Sequence, residues 1–151
     1  MRNKFFGIII IIIFVACKPQ ERTAKSRSCS GEVTIQYDKV QQSDKSKLIA
    51  NKSLNSFTVY FLSNYRDTIQ GYVNDKKKFE KFVDLDDNSD SMKEKFIYDY
   101  SQDKEIPALK IISKTTKNCF DILIDKKYKI IYVFKNNDKW IVRFSNIYYV
   151  N

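Results

Sequence analysis

Between residues 128 and 144 large apolar side chains fall on every second position: Tyr128, Ile130, Tyr132 and Phe134, then Trp140, Val142 and Phe144. A period of two is the mark of a strand with one face buried, and no helix can present such a pattern on one side. The polar run Asn136-Asn137-Asp138 separates the two halves, and Asn and Asp tolerate the left-handed backbone of a tight loop. The stretch therefore reads as a β-hairpin. A three-residue loop at 136–138 pairs Phe134 with Trp140, Tyr132 with Val142 and Ile130 with Phe144, keeping every large aromatic on one face. A two-residue loop would set Phe134 against Lys139 and Ile130 against Arg143, mixing core with charge. The spacing predicts the three-residue loop.

Similar patterns recur upstream. Val33, Ile35 and Tyr37 alternate, as do Phe96, Tyr98 and Tyr100, while residues 56–62 (SFTVYFL) are apolar almost throughout, as in a strand covered on both faces. Residues 67–74 place Ile69, Gly71 and Val73 on one side, and Asn74-Asp75 turns the chain into a lysine-rich strand over 77–85 that carries Phe79. Arms at 108–113 and 119–125 form a second hairpin, with Pro107 where a strand's first residue needs no ladder donor. The apolar content is β-branched and aromatic, with only three Gly and two Pro, which favours strands. These features predict an antiparallel β-sandwich of about eight or nine strands. The alternative is an α+β fold, with one or two helices from 39–55 and 88–97 on an antiparallel sheet.

The N-terminus follows a different logic. Arg2 and Lys4 precede an apolar run from Phe5 to Ala16, and Cys17 follows at once. A membrane-spanning helix needs about 20 apolar residues, so this run suits a signal-peptide core better. Phe14-Val15-Ala16-Cys17 resembles the lipobox of bacterial lipoproteins, with Phe14 where Leu is usual. The resemblance implies cleavage before Cys17 and acylation of Cys17 with diacylglyceryl and palmitate-type chains, which two or more chains make a stable membrane anchor. An uncleaved anchor and an ordinary secretory signal are the competing readings. In lipoproteins an Asp after the cysteine often retains the protein at the inner membrane; Lys18 stands there, which leans towards the outer membrane and leaves periplasmic or surface face open. The expected organisation is a signal peptide at 1–16, a lipidated N-terminus and flexible tether at 17–30, and one β-rich domain at 31–151.

Removing residues 1–16 from 151 leaves 135, enough for one domain with its own core. Arg2 and Lys4 leave with them, so 27 basic residues become 25 against 18 acidic ones and the net charge falls from +9 to +7. The lysines are scattered, Lys76-Lys77-Lys78 being the one dense cluster, and an exported protein rarely meets nucleic acid. The charge reads as a solvated face, suited to anionic headgroups or an acidic partner.

With Cys17 assigned to the anchor, Cys29 and Cys119 remain in a compartment where disulfides persist. A bridge would close about 90 residues, worth roughly 4–5 kcal/mol by chain entropy; two independent thiols are the alternative. There is no histidine, and neither cysteine has zinc-site spacing.

Chemistry-bearing patterns are few. Asp84, Asp86, Asn88 and Asp90 alternate like the opening of a calcium loop, but Ser89 replaces the turn glycine and Lys95 stands where a bidentate Glu should close the shell. A solvated loop is the expected role, and no cofactor is implied beyond a weak calcium signal. A Ser or Cys nucleophile would lack histidine as its base. Asp67, Asp84, Glu94 and Asp99 are available for a carboxylate-dependent hydrolase, yet no spacing fixes two of them together. Ten tyrosines exceed the needs of one core face; Tyr60, Tyr72, Tyr148 and Tyr149 are candidates for an exposed platform facing a glycan or a protein. The chain resembles small bacterial envelope lipoproteins, some of which bind envelope partners and some of which neutralise a toxin. The expectation is a lipid-anchored, non-catalytic binding module for a protein partner, with a glycan-binding surface module or a hydrolase as the alternatives.

Overall fold

A computed structural model describes residues 20–25, 29, 31–39, 47–62, 65–85, 94–136 and 139–149. The lipobox-like segment and Cys17 lie outside these residues. Ten strands are present among them: β1 (Gln20–Lys25), β2 (Glu32–Tyr37), β3 (Ser56–Leu62), β4 (Tyr65–Val73), β5 (Lys76–Leu85), β6 (Lys95–Asp99), β7 (Ala108–Ser113), β8 (Cys119–Leu123), β9 (Ile130–Asn136) and β10 (Lys139–Ser145). They form a six-stranded sheet in the order β1-β2-β10-β9-β3-β6 and a four-stranded sheet in the order β5-β4-β7-β8. The inward faces share one apolar cluster, so the fold is a β-sandwich.

The described residues contain no helix. Of the segments the α+β alternative drew on, residues 95–97 belong to β6 and 47–55 are irregular with a single bridge, Ile49 to Ile147; residues 40–46 and 88–93 lie outside the description. The pairing is not antiparallel throughout. β2 runs parallel to β10 and β3 parallel to β9, joining strands far apart in sequence.

Two sequence expectations need correction. Residues 20–25, assigned to a flexible tether, form β1, paired antiparallel with β2 from Gln20–Tyr37 to Lys25–Glu32. An edge strand is held by backbone hydrogen bonds from one side only, so its sequence carries no obligatory apolar face. Among the described residues strand pairing thus extends back to Gln20. In the C-terminal hairpin, Asn136 pairs with Lys139, Trp140 with Lys135, Val142 with Val133 and Phe144 with Ile131, which shifts the expected register by one. The cause is that β9 is central and buried on both faces: Ile130, Ile131, Tyr132 and Val133 are all fully buried. Its aromatics need not share a face with those of β10, because each face has its own core.

Ile131, Val133, Trp140, Val142 and Phe144 point inward, where Trp140 meets Phe120 of the other sheet edge-on at 5.3 Å. Phe61 stacks on Phe79 at 5.2 Å across the same interface. Gly71 lets β4 pass beneath Phe96: a Cβ there would lie 3.0 Å from the Phe96 ring and 3.3 Å from the Phe79 Cβ. On the opposite face of the six-stranded sheet, Tyr60, Ile130, Tyr132 and Ala50 form a second cluster closed by residues around 48–50 and 147–149.

Candidate functional site

The two outer faces of the sandwich differ. That of the six-stranded sheet is partly closed by the chain itself. Tyr132 donates its hydroxyl to the Ile147 carbonyl at 2.9 Å and accepts the Tyr149 N–H at 3.1 Å. Tyr148 N–H donates to the Leu48 carbonyl at 2.9 Å. Burial raises the Tyr132 phenol to about 12 and also raises that of Tyr60.

The outer face of the four-stranded sheet is open. Cross-strand partners point to the same side, so Thr68 with Phe82, Gln70 with Glu80 and Ile112, and Tyr72 with Lys77 and Lys110 form rows on that face. Phe82 is 56% exposed on it. Glu80 organises the centre: it takes hydrogen bonds from Lys77, Gln70 and Lys114, and Tyr72 donates to Gln70 at 3.2 Å. The Lys77 bond is the largest of the effects that hold the Glu80 carboxyl down at about 2. The surface is a broad strip of mixed polar and apolar character.

The four candidate tyrosines do not share a surface. Tyr60 is 6% exposed and lies 5.6 Å from Tyr132, so it is core on the covered face. β3 is buried on both sides, as its apolar run over 56–62 predicts, and this corrects the outward position expected for Tyr60. Tyr148 packs against the same cluster, and Tyr149 donates to Asp38 at 2.8 Å beneath the Lys47 ammonium. Tyr72 alone stands on the open sheet.

Cys29 and Cys119 are joined, with 5.4 Å between their Cα atoms. The bridge fixes the segment entering β2 to the start of β8. Gly31 crosses beside it, where a Cβ would overlap the Cys119 carbonyl oxygen and the Asn118 side chain.

Asp84 lies on β5 opposite Arg66, while Asp86, Asn88 and Asp90 fall outside the described residues. Among the described residues no three His, Cys, Asp or Glu side chains gather as a metal site requires. The four candidate carboxylates are dispersed. Asp67 points inward from β4 and pairs with Val83, whereas the adjacent Arg66–Asp84 row points outward. Glu94 pairs with Lys81 at 2.6 Å, and Asp99 accepts the Ser101 N–H at 2.7 Å at the other end of β6.

Asp67 instead anchors a buried network that joins the sheets. Its carboxylate accepts from the Ser113 hydroxyl, from the Thr115 N–H at 3.0 Å and from the Thr115 hydroxyl at 2.6 Å. Lys135, reaching from β9, lies 3.6 Å from Asp67 and donates to Ser113 at 2.9 Å and Thr116 at 3.2 Å. Burial alone would raise the Asp67 carboxyl, but the Ser113 and Thr115 hydrogen bonds and the Lys135 charge outweigh it and hold it below the usual carboxylate range. Ser113 beside a lysine has the residue types of a nucleophile and its base. However, Ser113 is fully buried and gives its proton to Asp67, so the cluster acts as a clasp between sheets. Local sequence patterns did not single out Ser113, Thr115, Thr116 and Lys135. The available signal was polarity at an inward phase: Asp67 is in step with Ile69 and Val73, Ser113 with Leu109 and Ile111, and Lys135 with Ile131 and Val133.

A groove of about 860 Å³ opens at one end of the sandwich, lined by Asn74, Asp75, residues 102–106, Ala108 and Leu123. Tyr98 donates to Asp103 at 2.9 Å beside it. No helix among the described residues is long and apolar enough to cross a membrane. Compared with known protein families, with characterised proteins and with solved structures, the chain matches none.

Proposed function

We propose that the chain is a lipid-anchored protein of the bacterial cell envelope, acylated on Cys17, whose β-sandwich serves as a non-catalytic binding module for a protein partner. Support for the anchor comes from the signal-like run and Phe14-Val15-Ala16-Cys17, and Lys18 favours the outer membrane. The Cys29–Cys119 bridge suits an oxidising compartment outside the cytoplasm. One observation carries the binding role: the four-stranded sheet leaves its outer face open, with Phe82 exposed next to the Glu80 row and on the same face as Ile112 and Tyr72. A glycan platform built from several tyrosines has less support, because Tyr60, Tyr148 and Tyr149 lie on the other sheet.

Photo-crosslinking in the native membrane tests the role. A crosslinking residue at Phe82, Tyr72 or Lys110 should give one discrete protein adduct, and the same residue at Lys139, at the far end, should not. Adducts absent from all three positions, or equal at Lys139, would remove the open sheet as the binding face.

A further inference from the structure

We propose that one end of this sandwich rests directly against the bilayer surface, with its exposed apolar side chains in the headgroup region. The proposal rests on acylation of Cys17. Three residue steps separate Cys17 from Gln20, the first residue of β1, and three steps span at most about 11 Å. The domain is therefore held close to the membrane, by a known corner. Gln20 pairs with Tyr37, Tyr37 with Phe144, and Ser145 with Ile130. The anchor thus leaves at the end where β2 and β10 finish and β9 starts.

The other sheet places the close of β8 and the start of β7 at this same end. The Ile124 N–H donates to the Pro107 carbonyl at 2.9 Å, Lys126 donates to the Glu105 carbonyl at 3.2 Å, and Lys129 donates to the Tyr100 hydroxyl at 2.6 Å. The turns after β6 and β8 therefore meet the loop before β9.

Large apolar side chains crowd there without cover. Among the described residues eight large hydrophobic side chains stand exposed; Leu54, Ile106 and Leu123 lie at this end, and Leu48, Ile49 and Tyr149 lie on the outer face of the six-stranded sheet next to it, where Tyr149 reaches Asp38 just past β2. Leu48 is 67% exposed and Ile106 55%. Such gathering marks an interaction surface rather than scatter. Three of the six belong to the end and three to the adjoining outer face, so a surface touching the end on the side of the six-stranded sheet meets both groups, whereas a groove-binding peptide would meet only Ile106 and Leu123. Tyr149 lies under the Lys47 ammonium at 5.2 Å, a pairing of aromatic ring and long cationic stem that suits the headgroup layer.

Charge is a minor driving force. Lys39, Lys47, Lys52, Lys76, Lys104, Lys126, Lys127 and Lys129 at this end face Asp38, Asp75, Asp99, Asp103, Glu105 and Asp125, an excess of two positive charges. The contact is therefore mainly apolar, and anionic lipid strengthens it only slightly.

Spin labels on the lipidated chain in phosphatidylcholine vesicles test the orientation, using Leu54→Cys, Ile106→Cys and Lys139→Cys in separate proteins, each with its fold checked by thermal melting. Labels at 54 and 106 should be more accessible to oxygen than to a water-soluble nickel chelate, with the reverse at 139. Adding phosphatidylglycerol should leave that order unchanged. If Cys17 is acylated by mass spectrometry and all three labels report water, the orientation is wrong while the anchor stands. Dipolar coupling between labels at 106 on separate molecules would assign the end to a second copy and overturn the proposal. A bare thiol at Cys17 would overturn the anchor and the orientation together.

Discussion

Replacing Asp67 by Asn tests the clasp between the sheets. The substitution keeps the shape and one oxygen to accept from Thr115, but its amide nitrogen cannot accept the Ser113 proton, so that hydrogen bond is lost. The larger loss is the carboxylate charge 3.6 Å from the Lys135 ammonium, in a site where the two side chains are 6% and 10% exposed. At that separation the gross attraction is about 4–5 kcal/mol for an effective dielectric of 20. Breaking a buried pair by removing one partner costs about 3–5 kcal/mol, because the other charge stays buried. The Ser113 and Thr116 hydroxyls still solvate Lys135, so the lower end applies, about 3 kcal/mol. For a domain of this size the melting point should fall by about 10 °C. The assay is guanidinium unfolding followed by the fluorescence of Trp140, which lies 5.4 Å from the Lys135 ammonium. Asp67→Asn combined with Lys135→Met should recover most of the loss, since no charge remains buried. A single-variant cost under about 1 kcal/mol, or strict additivity in the pair, would refute the clasp.

The same carboxyl sets an acid limb. Its folded value lies below the ordinary one, so its stabilisation is complete above about pH 4 and is lost as pH falls through the folded value; unfolding midpoints below pH 4 should drop more steeply for wild type than for Asp67→Asn. Replacing both Cys29 and Cys119 by Ser should cost about 4 kcal/mol in guanidinium unfolding, given the separation of 90 residues. Gly71→Val forces a branched side chain against the Phe96 ring and should destabilise by about 1–3 kcal/mol in the same assay. Tyr60→Glu should cost more than about 3 kcal/mol through burial of a carboxyl in the second core, while Tyr72→Glu on the open sheet should cost less than about 1 kcal/mol; equal melting points for the two would contradict the division of the tyrosines.

The strands that bury one face were legible in the sequence. β4 and the β7–β8 hairpin follow period two, with Ile69, Gly71 and Val73 or Leu109 and Ile111 inward. β9 was legible as a strand but not in its register, because Ile130 and Tyr132 serve one core while Ile131 and Val133 serve another. β1 left no apolar trace, and the parallel pairing of β2 with β10 joins residues more than 100 positions apart, as in Gln36 and Arg143. Local periodicity carries no record of such partners. The clasp was hidden for the same reason: Asp67, Ser113 and Lys135 come from three strands, and only their polarity at inward positions betrays them. The open face of the four-stranded sheet is a tertiary fact, since it exists only because residues 48–50 and 147–149 fold over the other sheet instead.

The anchor is the claim on which location, redox state and orientation all depend. Mass spectrometry of the mature N-terminus, taken from the membrane fraction of cells expressing the whole chain, examines it directly. A first residue of Cys17 carrying diacylglyceryl on its sulfur is the expected result. A chain still bearing Met1, or beginning at Cys17 with a free thiol, would contradict it.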